Sequence, residues 1–203
     1  MILIATLWDD IWEVWSAGGL LMVPLFLLAL MIYFYALQLL FFFRRADYND
    51  IEESKWMHWI ESPSESSGNI GAMIRYSQDG VNTVEDVQSR FDEVKAANIP
   101  PIETRIIFLS ILVTVAPLMG LLGTVMGMLT TFKGLAMSSG QIIDVVAQGI
   151  SEALITTQTG LIIAIPGYIL VYMLNRRRQE MAAFIGRLES NSLQYFTIKL
   201  ANS

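Results

Sequence analysis

Residues 148–167 read QGISEALITTQTGLIIAIPG. The run is apolar enough to cross a bilayer, yet it carries Gln148, Glu152, Thr156, Thr157, Gln158 and Thr159. An acid at the centre of a membrane helix costs roughly 2.5–3.5 kcal/mol on insertion scales. Groups that costly face a helix bundle or a water-filled path rather than lipid tails. At about 100° per residue, Gln148, Glu152, Thr156 and Thr159 share one helical stripe. Gly149, Ala153, Gly160, Ala164 and Gly167 form the neighbouring stripe, with Thr157 at its far edge. Ile150, Leu154, Leu161, Ile162 and Ile165 lie opposite. Small residues let helix backbones approach closely, where van der Waals packing drives association in lipid. The pattern predicts a cation pathway built between helices.

A second stretch, residues 114–131, reads TVAPLMGLLGTVMGMLTT and repeats the design. Ala116, Gly120, Gly123 and Gly127 make a small-residue stripe, and Ser110, Thr114, Pro117, Thr124 and Thr131 make a polar one beside it. The two stretches are expected to pack through Gly120, Gly123 and Gly127 on one side and Gly149, Ala153 and Gly160 on the other.

The rest of the chain frames this pair. Residues 1–17 carry a 3–4 residue apolar spacing with Trp8, Trp12 and Trp15, which predicts an amphipathic helix at the bilayer interface. No positive start marks a secretory signal. Gly18-Gly19 makes a bend. Residues 18–45 hold a first span rich in Phe and Leu, closed by Arg44-Arg45 and facing lipid. Residues 46–101 form a polar helical insert; from Ala46 to Thr104 there are 12 acids against 4 basic residues. Within it, residues 51–60 and 84–97 read as helices and SPSESSG at 62–68 as a loop, and Pro100-Pro101 is expected to end one helix and begin the next. The second span is assigned to 102–135, a short outer turn to 136–145, the third span to 146–178 and an amphipathic C-terminal helix to 179–203.

The chain has 203 residues, of which 54% are apolar and 16% charged, a balance that fits an integral membrane protein. No cysteine is present, so disulfides and thiolate metal sites are excluded. A net charge of −6 argues against nucleic-acid binding. The single His58 has no ligand-spaced partner, and no phosphate loop or nucleophile elbow occurs. No serine–histidine or aspartate pair lies in the spans, so an enzyme is not expected. With the N-terminus outside and three crossings, 12 of the 13 basic residues fall inside and only Lys133 outside. The expected fold is an all-α integral membrane protein. It has three transmembrane helices, a cytoplasmic C-terminus, and long second and third helices projecting into the cytoplasm.

APLMGLLGTVMGM at 116–128, followed by GISEALITTQTGLIIAIPG at 149–167, resembles the MotA/TolQ/ExbB family of ion-driven stator subunits. Three spans and a short insert resemble the ExbB/TolQ branch. The resemblance implies a homopentamer in the bacterial inner membrane, its second and third spans lining a pore. It implies a dimer of a single-span partner similar to ExbD or TolR in that pore, carrying an ion-binding aspartate. It also implies that the hydroxyls of Thr124 and Thr157 face that aspartate, that Glu152 is a pore-side carboxylate, and that ion flow drives an envelope or outer-membrane process.

No cofactor is expected; the transported ion is H⁺ or Na⁺. Here Thr156 precedes Thr157, and Gln158 and Thr159 follow it, where the family commonly has apolar residues. Hard cations favour oxygen ligands, so Thr156, Thr157 and Thr159 are candidate sodium ligands. The opposing reading is that Thr156 and Thr159 bond back to helix carbonyls. The alternative function is a non-conducting membrane scaffold, packed through its glycines.

Overall fold

The computed structural model describes residues 15, 17–46, 53–137 and 142–201. The interfacial helix expected at 1–17 falls almost wholly outside these residues, as do residues 138–141 of the turn expected at 136–145. The described residues form five α-helices and one short 3₁₀ turn. They are α1 (Met22–Ala46), α2 (Glu53–Glu61), the 3₁₀ turn (Pro63–Glu65), α3 (Gly68–Gln78), α4 (Val84–Met137) and α5 (Ile142–Ala201). Three of them, α1, α4 and α5, are long and apolar enough to cross a membrane.

The chain divides into two compact units. The first takes residues 1–37 and 108–171. In it α1 buries Met22, Leu25, Leu28, Ile32 and Ala36, a 3–4 residue seam, and exposes Phe26, Leu27, Leu30, Phe34 and Leu37. That is the pattern of a helix with protein on one side and lipid on the other. The Tyr33 hydroxyl donates to the Ile163 carbonyl at 3.3 Å, and Tyr35 meets the Phe108 ring edge-on at 5.4 Å. A ring hydroxyl inside hydrocarbon needs such an acceptor.

The second unit takes residues 38–107 and 172–203. Its core is Trp56, Ile60, Ile70, Ile74, Val87, Phe91, Leu174, Met181, Ile185 and Leu188. Trp56 and Phe184 pack edge to face at 6.0 Å. A capping box starts α4. Thr83 Oγ1 accepts from the Asp86 N–H at 3.1 Å, while Asp86 Oδ2 accepts from the Thr83 N–H at 2.9 Å. Arg75 donates to the carbonyl and hydroxyl oxygens of Ser66, and Ser66 Oγ donates to Pro63 O at 2.6 Å, which pins the turn before α3. Two ion pairs join α4 to α5 here: Lys95 to Glu189 at 2.7 Å and Arg178 to Glu103 at 2.5 Å.

Two expectations are corrected. Pro100-Pro101 does not separate two helices; α4 runs unbroken from Val84 to Met137. Proline removes the bonds to the carbonyls of Ala96 and Ala97. Those two residues and both prolines are exposed, so water can serve the freed carbonyls, while Val94, Ile102 and Ile106 hold the other face in the core. The stretch after residue 62 is also more ordered than a plain loop. It contains the 3₁₀ turn and leads into α3, a helix that its Gly- and Ser-rich composition conceals.

Candidate ion-pathway site

Within the first unit, α4 and α5 pack antiparallel through their glycines. A methyl group on Gly160 would stand 2.7 Å from the Ala116 carbonyl oxygen, and one on Gly127 would stand 2.8 Å from that of Gly149. One on Gly120 would meet the Thr156 oxygen and Thr157 Cα at 3.0 Å. Gly123 takes the Thr156 side chain, with Thr156 Cβ at 2.5 Å from the same hypothetical methyl, and Gly149 takes that of Thr131. Those at Gly160, Gly127 and Gly120 are backbone-to-backbone approaches that any larger residue would push apart. The residues expected to pack, Gly120, Gly123, Gly127, Gly149, Ala153 and Gly160, are all buried.

This register sorts the candidate pathway residues onto three different faces of α5. Thr157 lies on one flank and is half-buried, its Oγ1 within 3.2 Å of both the Gly120 and the Ala153 carbonyls. In an α-helix the Gly120 carbonyl is also the acceptor for the Thr124 amide. Thr124 therefore lies one turn along from the carbonyl that Thr157 reaches, and its own hydroxyl donates to Leu121 O at 2.7 Å. Thr124 and Thr157 thus stand near each other around one backbone group.

Thr156 lies between the helices and is 1% exposed. Its Oγ1 has Ala153 O at 3.0 Å, Glu152 O at 3.2 Å and Gly120 O at 3.5 Å. Glu152 and Thr159 lie on the other flank, the one facing α1. Glu152 rests on Gly19, Ile155 on Gly18, and the Ile163 carbonyl receives Tyr33. Thr159 Oγ1 donates to Ile155 O at 2.8 Å. The stripe that the sequence drew through Glu152, Thr156 and Thr159 is thus divided between the α4 contact and the α1 contact. Each threonine hydroxyl has a carbonyl to donate to, and its lone pairs remain as acceptors. Among the described residues, no group of three acidic or histidine side chains is placed to hold a metal ion.

Sequence reasoning saw the Gly18-Gly19 bend but not what rests on it. It also missed the hydrogen-bonded pair Thr114 and Tyr168, whose hydroxyls are 3.1 Å apart. Contacts between residues 54 positions apart leave no local periodic signal.

A family model described as the MotA/TolQ/ExbB proton channel family matches residues 69–186, more than half of the chain. Curated relatives match parts of the chain. A Tol-Pal system protein TolQ from Pseudomonas aeruginosa is 41% identical over 99 residues, 49% of this chain and 38% of that protein. A biopolymer transport protein ExbB from Salmonella typhimurium is 34% identical over 86 residues, 42% of this chain and 35% of that protein. Biopolymer transport protein exbB1 from Vibrio cholerae is 46% identical over 59 residues, 29% of this chain and 26% of that protein. The chain therefore spans well under half the length of each of these relatives.

Proposed function

Because the chain belongs to the MotA/TolQ/ExbB proton channel family, we propose that it is the ion-conducting stator subunit of an inner-membrane motor of the ExbB–ExbD or TolQ–TolR kind. The observation that carries this reading is the placement of Thr157 and Thr124 around the Gly120 carbonyl, in a helix pair whose only intramembrane acid is Glu152. One acid in each subunit is too few for a complete relay, which needs a chain of titratable or hydroxyl groups. A carboxylate supplied by a single-span partner of the ExbD or TolR kind completes it. Five copies of the chain surround a dimer of that partner, with the N-terminus outside and the basic residues inside. One charge crossing the membrane potential releases about 2.3 kcal/mol per 100 mV, so a few crossings suffice to drive a rotation step. That motion energises an envelope or outer-membrane process.

The ion is the proton. Thr156 is buried against Gly123 with its hydroxyl among helix carbonyls, and Thr159 bonds back to Ile155, which suits helix packing better than a sodium shell. The test is co-expression with the single-span partner, followed by activity measurements in which Na⁺ and the proton gradient are changed separately. Activity that follows the proton gradient and ignores Na⁺ supports this reading. A strict Na⁺ requirement overturns it in favour of coordination at Thr156, Thr157 and Thr159.

The same back-bonding favours a second reading, a scaffold that conducts nothing, in which hydroxyls merely join helices at about 0.6 kcal/mol per contact. Thr157→Val separates the two. The stator reading expects an assembled complex with partner-dependent work abolished, whereas full activity in that assembled variant would leave the scaffold.

A further inference from the structure

Glu152 has a neighbour that no motif announces. Gly19, in the bend before α1, sits at φ +68°, the left-handed region that glycine adopts freely and other residues at a cost. The Glu152 carboxylate lies directly over it. A methyl group on Gly19 would overlap Oε1 and stand 2.6 Å from Cδ and 3.2 Å from Cγ. One on the adjacent Gly18 would stand 3.0 Å from Ile155 Cγ2, so the next turn of α5 rests on the same bend. Gly68 and Gly80 share the left-handed backbone, at φ +71° and +67°, but have nothing within 4 Å of the same position. At Gly19 two separate requirements therefore coincide, a backbone that needs glycine and a space that the acid occupies.

Among the described residues the Glu152 carboxylate makes no ion pair and no side-chain hydrogen bond, and the Gly19 backbone is the neighbour it rests against. The seat also lies at the start of α1, where unpaired N–H groups and the helix dipole favour negative charge.

We propose that Gly19 is a positioning residue for Glu152, the Gly18-Gly19 bend receiving the one intramembrane acid of α5 and setting where it stands. The functional consequence rests on the stator reading above; the placement itself does not. The experiment keeps them apart. The full chain with its partner, in native membranes, is treated with dicyclohexylcarbodiimide, which modifies protonated carboxyl groups within the bilayer. Modification of Glu152 is then read by peptide mass spectrometry.

Gly19→Ala changes the labelling rate of Glu152 by about fivefold or more, the scale of one lost polar contact. Gly68→Ala brings the same backbone strain without a neighbour and leaves the rate unchanged. Where Gly19→Ala reduces the yield of assembled protein, adding Glu152→Asp, one methylene shorter, relieves the overlap and brings the yield to that of Gly68→Ala, which carries the backbone strain alone. Unchanged labelling in an assembled Gly19→Ala protein overturns the proposal, and so does a yield defect larger than that of Gly68→Ala that Glu152→Asp fails to relieve. Altered labelling with undiminished ion-driven activity upholds the placement and removes Glu152 from the pathway.

Discussion

A threonine in hydrocarbon has one proton to donate, and the direction of that proton separates neighbours of identical chemistry. Thr156 is enclosed, with three carbonyl oxygens in reach, while Thr157 stands half-exposed beside Gly120. Thr156→Val keeps the volume and removes the bond. We expect a loss of about 0.6 kcal/mol in thermal or detergent stability, the average for such contacts, with ion dependence unchanged. A change in ion selectivity would return Thr156 to the pathway. Gly120, Gly127 and Gly160 respond differently, because what they meet first is backbone. A methyl on Gly127 would stand 2.8 Å from the Gly149 oxygen, which cannot rotate away. Gly127→Ala is expected to cost about 1–3 kcal/mol, the usual range for overpacking, read as a lower melting temperature of the purified complex. Ser192 is the reverse case. Its hydroxyl is fully buried and lacks a partner among the described residues, so Ser192→Ala is expected to be neutral or stabilising by about 1 kcal/mol in the same melt.

At the scale of elements, the start of α4 carries a measurable pH response. Hydrogen bonding from the Thr83 side chain, then from the Asn82 and Thr83 N–H groups, holds the Asp86 carboxyl below its ordinary value of 3.8. A depressed carboxylate stabilises the folded state above its unfolded value, and that stabilisation disappears as pH falls through the folded one. Amide exchange at residues 84–87, corrected for intrinsic rates, should therefore accelerate below pH 3.8. Asp86→Asn should show that acceleration already at neutral pH and respond little to further acid. The sequence revealed the apolar spans and the glycine faces because lipid forces an uninterrupted apolar run and small residues recur at helical spacing. It concealed α3, whose GNIGAMIRYSQ has few strong helix formers and is held by burial of Ile70, Met73 and Ile74. It misjudged Pro100-Pro101 because a local rule about proline gives way when the freed carbonyls reach solvent and the opposite face is packed. At the candidate site, a family pattern singled out Thr124 and Thr157, whereas the seat of Glu152 depends on residues 133 positions apart along the chain.

At the scale of the whole molecule, the distribution of cations makes the orientation testable with one reagent. Lysines and arginines near membrane helices stay on the cytoplasmic side, and orientation follows their number in short loops. Arg44, Arg45 and Arg176 to Arg178 stand at the polar ends of the apolar runs in α1 and α5. Lys133, near the other end of the apolar run in α4, stands alone. The proposed orientation divides the four lysines: it expects Lys55, Lys95 and Lys199 on the cytoplasmic face and Lys133 on the outer one. Spheroplasts treated with a membrane-impermeant amine reagent should carry label on Lys133 and none on the other three, and inverted vesicles should give the opposite pattern. Within the inside set, Lys95 should react slowest, because its ammonium is held by Glu189 at 2.7 Å and Asp92 at 3.4 Å. The hydrogen bond to Glu189 raises its pKa above 10.5, leaving less of the reactive neutral amine. Since that stabilisation is present below the unfolded value and is lost as pH rises through the folded one, the slow reaction of Lys95 should disappear only in strong alkali. Label on Lys55 or Lys199 in spheroplasts would invert the proposed orientation, placing the acidic insert outside.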